Sequence, residues 1–328
     1  MNALARKFAL PMVVLALIGI GWSFQRCMRR ASAADSPAQT YRTELPADRP
    51  VFPPEDAWNR DVTAEPVDPD SARLIASIGV GKPLHPDFGT VYAGAPSGIP
   101  YVVVKGNQPG VKATFQYADE SDAGPYPIPA EAPIEGGANS DGDRHVIVID
   151  RQHWKLYELF SARFDGGGWK AGSGAVWDLS KPSYGQRPKG WTSADAAGLP
   201  IFPGLVRYDE TVQRKEIGHA LRFTVVKSRR AYVPPATHFA SRRADASLPP
   251  MGMRVRLKAD YDIARFPADC QVILRALKRY GMIVADNGSD WFISGSPDPR
   301  WNDDELHTLT RVKGVDFEVV KMGPATTK

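Results

Sequence analysis

Cysteine is nearly absent: Cys27 and Cys270 are the two in 328 residues, too few for a disulfide framework. Cys27 lies shortly after the apolar N-terminal run, so a chain matured beyond it keeps Cys270 alone and forms no internal disulfide. A core of this size needs no such staple. Excess charge of one sign is also missing. Lys and Arg number 41 against 37 Asp and Glu, and a net +4 is too small for a nucleic-acid footprint, so no nucleic-acid partner is expected. There is no phosphate-cradling glycine loop, no dinucleotide fingerprint and no Cys/His cluster at zinc spacing, which disfavours nucleotide and zinc chemistry. Gly172-Ser173-Gly174 is too short to mark a nucleophile elbow. No internal repeat divides the chain, so one domain is the simpler organisation.

What the chain has in quantity is proline and glycine, 29 of each, between short apolar runs. That combination predicts a mainly β protein, a single large antiparallel β-sandwich or jelly roll with two or three short helices. Strands are expected at Tyr101–Val104 and 111–117 as a hairpin around Gly106–Gly110, and at 146–149 and 155–160 as another pair. Further strands fall at 220–226 and 253–257, and at 282–285 and 291–294 as an expected pair. Leu74, Ile75 and Ile78 at helical spacing predict a helix over 71–78. Pro267 and Gly281 bracket a second over 267–280, and Asp303 and Asp304 open a third over 303–311.

At the N-terminus Arg6 and Lys7 precede the apolar run Phe8–Phe24, and Ala31-Ser32-Ala33 follows. Residues 1–33 thus suit a signal sequence or signal anchor, and the protein is expected outside the cytoplasm, touching a membrane only if that segment is retained. Residues 34–57 alternate Pro, Ala and charge and suit a flexible tether; the β-rich domain is placed at 58–322 and a disordered tail at 323–328.

Chemistry concentrates around Gly167–Glu210, where three Trp, two Tyr and four acidic residues stand among glycines and prolines. Loops of this kind hold rigid aromatic surfaces and carboxylates. Glu158, in Leu156-Tyr157-Glu158-Leu159-Phe160, shares an apolar strand face with Leu156 and Phe160, where burial raises a carboxyl pKa toward that of a general acid; a structural ion pair is the alternative. Asp195, among small residues, and Asp286, at the end of a strand before Asn287-Gly288, are candidate partners. His219 is a candidate base or a satisfied core residue. Arg222, Arg254 and Arg256, with Trp191, Tyr208 and Tyr232, are the candidate substrate-binding set, either lining a groove for an anionic glycan or forming a solvated exterior.

No cofactor is required by this pattern, but calcium has two candidate sites. Asp119, Glu120 and Asp122 form a dense oxygen cluster within 117–135, which also holds Glu131 and Glu135. Asn139–Asp143 copies the start of a calcium loop, with Arg144 where the turn glycine belongs.

The stretches Asp143-Arg144-His145 through Phe160, GWTSADAAGLPIFPGLVRYDE (190–210) and DNGSDWFISGSPDPRW (286–301) resemble a group of exported bacterial β-rich proteins of no assigned chemistry, across roughly Trp58–Val320. The resemblance implies an envelope or secreted setting and a single domain, and it brings no catalytic residues. Two readings follow from the residues. One is a carbohydrate-active enzyme cleaving a polysaccharide with paired carboxylates, or by β-elimination with His219 or a Tyr as base. The other is a non-catalytic glycan-binding or envelope scaffold protein.

Overall fold

The computed structural model of the chain describes Leu45 and residues 49–327, all within one compact unit. The apolar N-terminal run and most of the expected tether lie outside the described residues. Where the tether is described, it is already packed: Phe52 is buried, and Asp56 accepts from the backbone N–H groups of Trp58 and Ser183. The expected tail is also tied down, since Thr326 and Tyr232 exchange both backbone hydrogen bonds at 2.8 and 3.0 Å. Among the described residues, no helix is long and apolar enough to cross a membrane.

Strand outweighs helix, as the proline, glycine and β-branched pattern predicts, but the pairing is mixed. One sheet has six strands in the order His85–Asp87, Phe292–Ser294, Leu221–Val225, Met282–Asn287, Arg254–Leu257, Phe317–Val319. The other has four, in the order Ser173–Asp178, Lys155–Phe160, Val146–Asp150, Tyr101–Val104. His85–Asp87 runs parallel to Phe292–Ser294, and Leu221–Val225 parallel to Met282–Asn287, with helix Ala268–Arg279 in the crossover. Neither sheet closes on itself.

The expected 101–117 hairpin does not form. Tyr101–Val104 instead runs parallel to Val146–Asp150, and Ala113–Phe115 joins Trp169–Ala171 in a separate three-stranded sheet. The reason is burial on both faces. Val102 and Val104 pack into a smaller cluster with Val146, Val148, Leu159 and Trp169, whereas Val103, Ile147, Ile149 and Leu156 face the main core. A strand apolar on both sides suits a covered parallel neighbour better than a half-exposed hairpin.

The three helices form, at Ser71–Ile78, Ala268–Arg279 and Asp303–His307, the last shorter than expected because Thr308–Arg311 tightens into a 3-10 turn. Ser71–Ile78 buries Leu74, Ile75 and Ile78, and its Ser71 Oγ accepts from Val319 N at 2.8 Å, fixing the helix to the outermost strand. The opposite edge of the six-stranded sheet, at His85–Asp87, is where a cavity opens.

Candidate functional site

A cavity of about 740 Å³ lies against that edge and collects side chains from four distant parts of the chain. Strand His85–Asp87 supplies Asp87, the loop before Val146–Asp150 supplies Glu135 and His145, Leu221–Val225 supplies Arg222, and Met282–Asn287 supplies Asp286.

A bulge aims Asp286 into it. Arg222 pairs with Ile283 and Phe223 with Val284, but Thr224 pairs with Asp286, so Ala285 is the extra residue. Registered neighbours in a sheet point to the same face. Without the extra residue Asp286 would stand opposite Val225 and face the core; with it, Asp286 shares the face of Arg222 and Thr224, both of which line the cavity.

Burial raises the Asp286 pKa to about 7, and repulsion from Asp195 adds to the rise while Arg222 opposes it. Asp87 is also raised by burial, with His85 acting the other way. Glu135 is moved in the opposite direction. Burial alone would raise it, but His145 donates to its Oε2 from Nδ1 at 2.6 Å and holds the carboxylate below its ordinary range. The other ring nitrogen of His145 meets the carbonyl of Ala194 at 3.0 Å. Acceptors on both nitrogens define an imidazolium, and despite burial, which favours the neutral ring, Glu135 pushes the His145 pKa up to about 9.

The loop carrying this pair is shaped by Arg144. Its backbone is left-handed (φ 54°), and its guanidinium donates to the carbonyls of Ser140 at 2.7 Å, Ala138 at 3.0 Å and Ala162 at 3.0 Å. The segment expected as a calcium loop, Asn139–Asp143, is instead drawn around the Arg144 guanidinium through the carbonyls of Ala138 and Ser140. The Asp119, Glu120 and Asp122 cluster does not converge either. Asp122 is bound by Arg187 at 2.6 Å and Val176 N at 2.8 Å, Glu120 accepts from Thr192 N at 2.9 Å, and Asp119 is exposed. Among the described residues, no group of three or more His, Cys, Asp or Glu is placed to hold a metal ion.

Behind the cavity, Arg222 is buried in a bidentate pair with Asp195, at 2.8 and 3.1 Å, and its remaining arm donates to Ser294 Oγ. Ser294 is the register partner of Asp87, so the pair braces the strand that carries that carboxyl. Asp195 is fully enclosed and acts on Arg222, not on a ligand.

Glu158 does sit on the apolar face with Leu156, and burial raises its pKa to about 7. The face, however, is turned into the main core. The carboxylate is fully enclosed, accepting from Ile201 N and Phe202 N at 2.9 Å and from Trp177 Nε1 at 3.3 Å. It orders the 201–202 turn and has no route to a substrate.

The remaining expected residues are dispersed. His219 binds Glu210 at 3.0 Å beside a separate cavity of about 430 Å³. Arg254 donates to the carbonyls of Ala57, Arg60 and Tyr280, and Arg256 to Glu318 at 2.7 Å and to the carbonyls of Val62 and Glu65. They share a strand face, as alternation requires, but that face clasps the incoming 57–65 segment, so no cationic groove forms with Arg222. Tyr232 is buried against Phe239, Trp191 lies under Arg187 at 5.5 Å, and Tyr208 lies under Arg300 at 4.1 Å.

Sequence reasoning placed Asp286 and Arg222 at a site but overlooked Asp87, and it weighed Glu135 only as a calcium ligand and His145 only within a resemblance. The local signal was present: Asp87 stands in His85-Pro86-Asp87-Phe88-Gly89, a charged residue between a ring and a glycine at a turn. Comparison of the chain with family models, with curated proteins and with solved structures finds no match to any of the three.

Proposed function

We propose that the protein hydrolyses glycosidic bonds in a polysaccharide, with Asp286 as the general acid and Glu135 as the carboxylate that works ionised. The observation that carries this reading is the opposite displacement of two carboxyl groups in one cavity: Asp286 is raised to about 7 by burial and Glu135 is lowered by His145. Such a division of environments assigns acid and base roles at neutral pH. Asp87, whose pKa is also raised, lines the same cavity within reach of a bound sugar. On this reading the two main sheets, which share the core residues Ile147, Leu156, Phe223 and Ile283, form a sandwich-like platform that presents the cavity at one edge. An extracytoplasmic setting rests on the basic and apolar residues at 6–24.

The test is incubation of the full-length protein with neutral and acidic polysaccharides, following new reducing ends and the absorbance of unsaturated products. Reducing ends that vanish in Asp286→Asn and Glu135→Gln support hydrolysis. Unsaturated products point instead to a lyase, and binding without either product to a glycan-binding module.

A further inference from the structure

The rim of the 740 Å³ cavity carries a short hairpin, Val91–Tyr92 paired with Ala95–Pro96. Its turn has positive φ at both central residues, Ala93 at 49° and Gly94 at 83°, the conformation that closes a two-residue hairpin and that glycine accepts without strain. Tyr92 and Val91, both at the cavity, are 78% and 62% exposed. Side by side on one hairpin strand, they form an exposed apolar surface at the cavity rim.

The hairpin is not loose. Thr90 donates from its backbone N at 3.0 Å and from its hydroxyl to the two carboxylate oxygens of Asp303. Gly89 N bonds the carbonyl of Ser97 at 3.0 Å, and Ser97 N returns to Thr90 at 3.3 Å. The hairpin therefore carries Tyr92 at the cavity rim on a fixed base, which lowers the backbone ordering cost of a contact. On the inner wall His85 and Phe292 stack with centroids 4.0 Å apart, adding a second flat surface.

The charges narrow the occupant. Five carboxyl groups reach the cavity, from Asp87, Glu135, Asp143, Asp286 and Asp303, and of these Asp286 carries its proton in the acid role. The two buried cations there are already committed, Arg222 to Asp195 and His145 to Glu135. Neither is left to receive a ligand carboxylate, and an acidic sugar would meet like charge.

We infer that Tyr92 is a stacking platform for an uncharged sugar ring entering the cavity, and that the cavity excludes uronate rings. This rests on the glycan reading above and names its substrate class. Sugar C–H faces pack on aromatic rings, and a pair of this kind contributes about 1 kcal/mol, or five- to tenfold in affinity.

The experiment is calorimetric titration of the full-length protein, and of Tyr92→Ala and Tyr92→Phe, with neutral hexose and pentose oligosaccharides and with oligouronates. Tyr92 is exposed, so both variants should keep the thermal midpoint of the parent. The expected result is binding of a neutral oligosaccharide, weakened roughly five- to tenfold by Tyr92→Ala and little changed by Tyr92→Phe. Tighter binding of oligouronates, unchanged affinity in Tyr92→Ala, or no binding of any neutral sugar would overturn it. Tyr92-dependent binding without cleavage by the parent protein leaves the platform standing and removes the hydrolytic role. Cleavage indifferent to Tyr92→Ala does the reverse.

Discussion

Arg222 spans both carboxylate oxygens of Asp195 in the interior, and the same guanidinium reaches Ser294 on the strand next to Asp87. A charge pair this enclosed contributes little against a well-packed apolar replacement, but it is costly to break from one side. Asp195→Ala should lower unfolding free energy by about 3–5 kcal/mol in denaturant titrations, because it strands a buried guanidinium. Asp195→Ala combined with Arg222→Met should recover much of that loss. A single variant as stable as the parent would show that water reaches Arg222.

Under the proposed hydrolysis, Asp286 should set the alkaline side of the activity profile. A general acid must carry its proton, so kcat should fall as pH rises through about 7. Asp286→Asn should reduce kcat by at least about a hundredfold with the fold intact by circular dichroism, and its residual rate should lose that limb. A parent profile flat from pH 5 to 9 would remove Asp286 from the acid role.

His145 should remain an imidazolium well above the ordinary histidine range. Its folded pKa of about 9 stands above the usual 6.5, so its contribution to stability is complete below 6.5 and is lost as pH rises through 9. Nitrogen-resolved NMR of the ring should show both N–H protons at pH 7. His145→Gln should release Glu135 from its lowered range and move the acidic limb of the activity profile upward. One ring proton at pH 7 would contradict the pairing.

Glu158 titrates with the same sign of linkage, over a more acidic window. Its pKa is raised from 4.5 to about 7 in the fold, so the protonated form favours the folded state. The associated stability is complete below 4.5 and declines as pH rises through 7. Thermal midpoints should fall over that window in the parent and change less in Glu158→Gln. That variant should retain catalysis, since among the described residues the carboxyl takes its hydrogen bonds from Ile201, Phe202 and Trp177. A hundredfold loss of kcat at unchanged stability would return Glu158 to the site.

The helices were legible because each buries one stripe of its own residues, as at Leu74, Ile75 and Ile78. The Lys155–Phe160 strand was legible for the same reason, down to the face that Glu158 occupies. Burial also predicts the direction of the Glu158 shift from local pattern alone. What local pattern does not contain is the neighbour. Tyr101–Val104 reads equally well as a hairpin arm or as a strand covered on both sides, and the partner at Val146–Asp150 decides it. Arg254 and Arg256 share a face in either reading, yet whether that face meets a ligand or the carbonyls of 57–65 depends on residues nearly two hundred positions away.

The site shows the division most clearly. The sequence by itself determined a β-rich chain with a few amphipathic helices, a carboxylate at 286 closing a strand, and a cationic side chain at 222 on the strand face opposite Leu221 and Phe223. Only the tertiary structure decided that Ala285 bulges, which turns Asp286 onto the face of Arg222. It alone brought Glu135 and His145 to the same cavity as Asp87. The physical reason is that periodicity reports which face a residue takes on its own element, whereas the pKa of a carboxyl is set by burial and by charges that arrive from other elements.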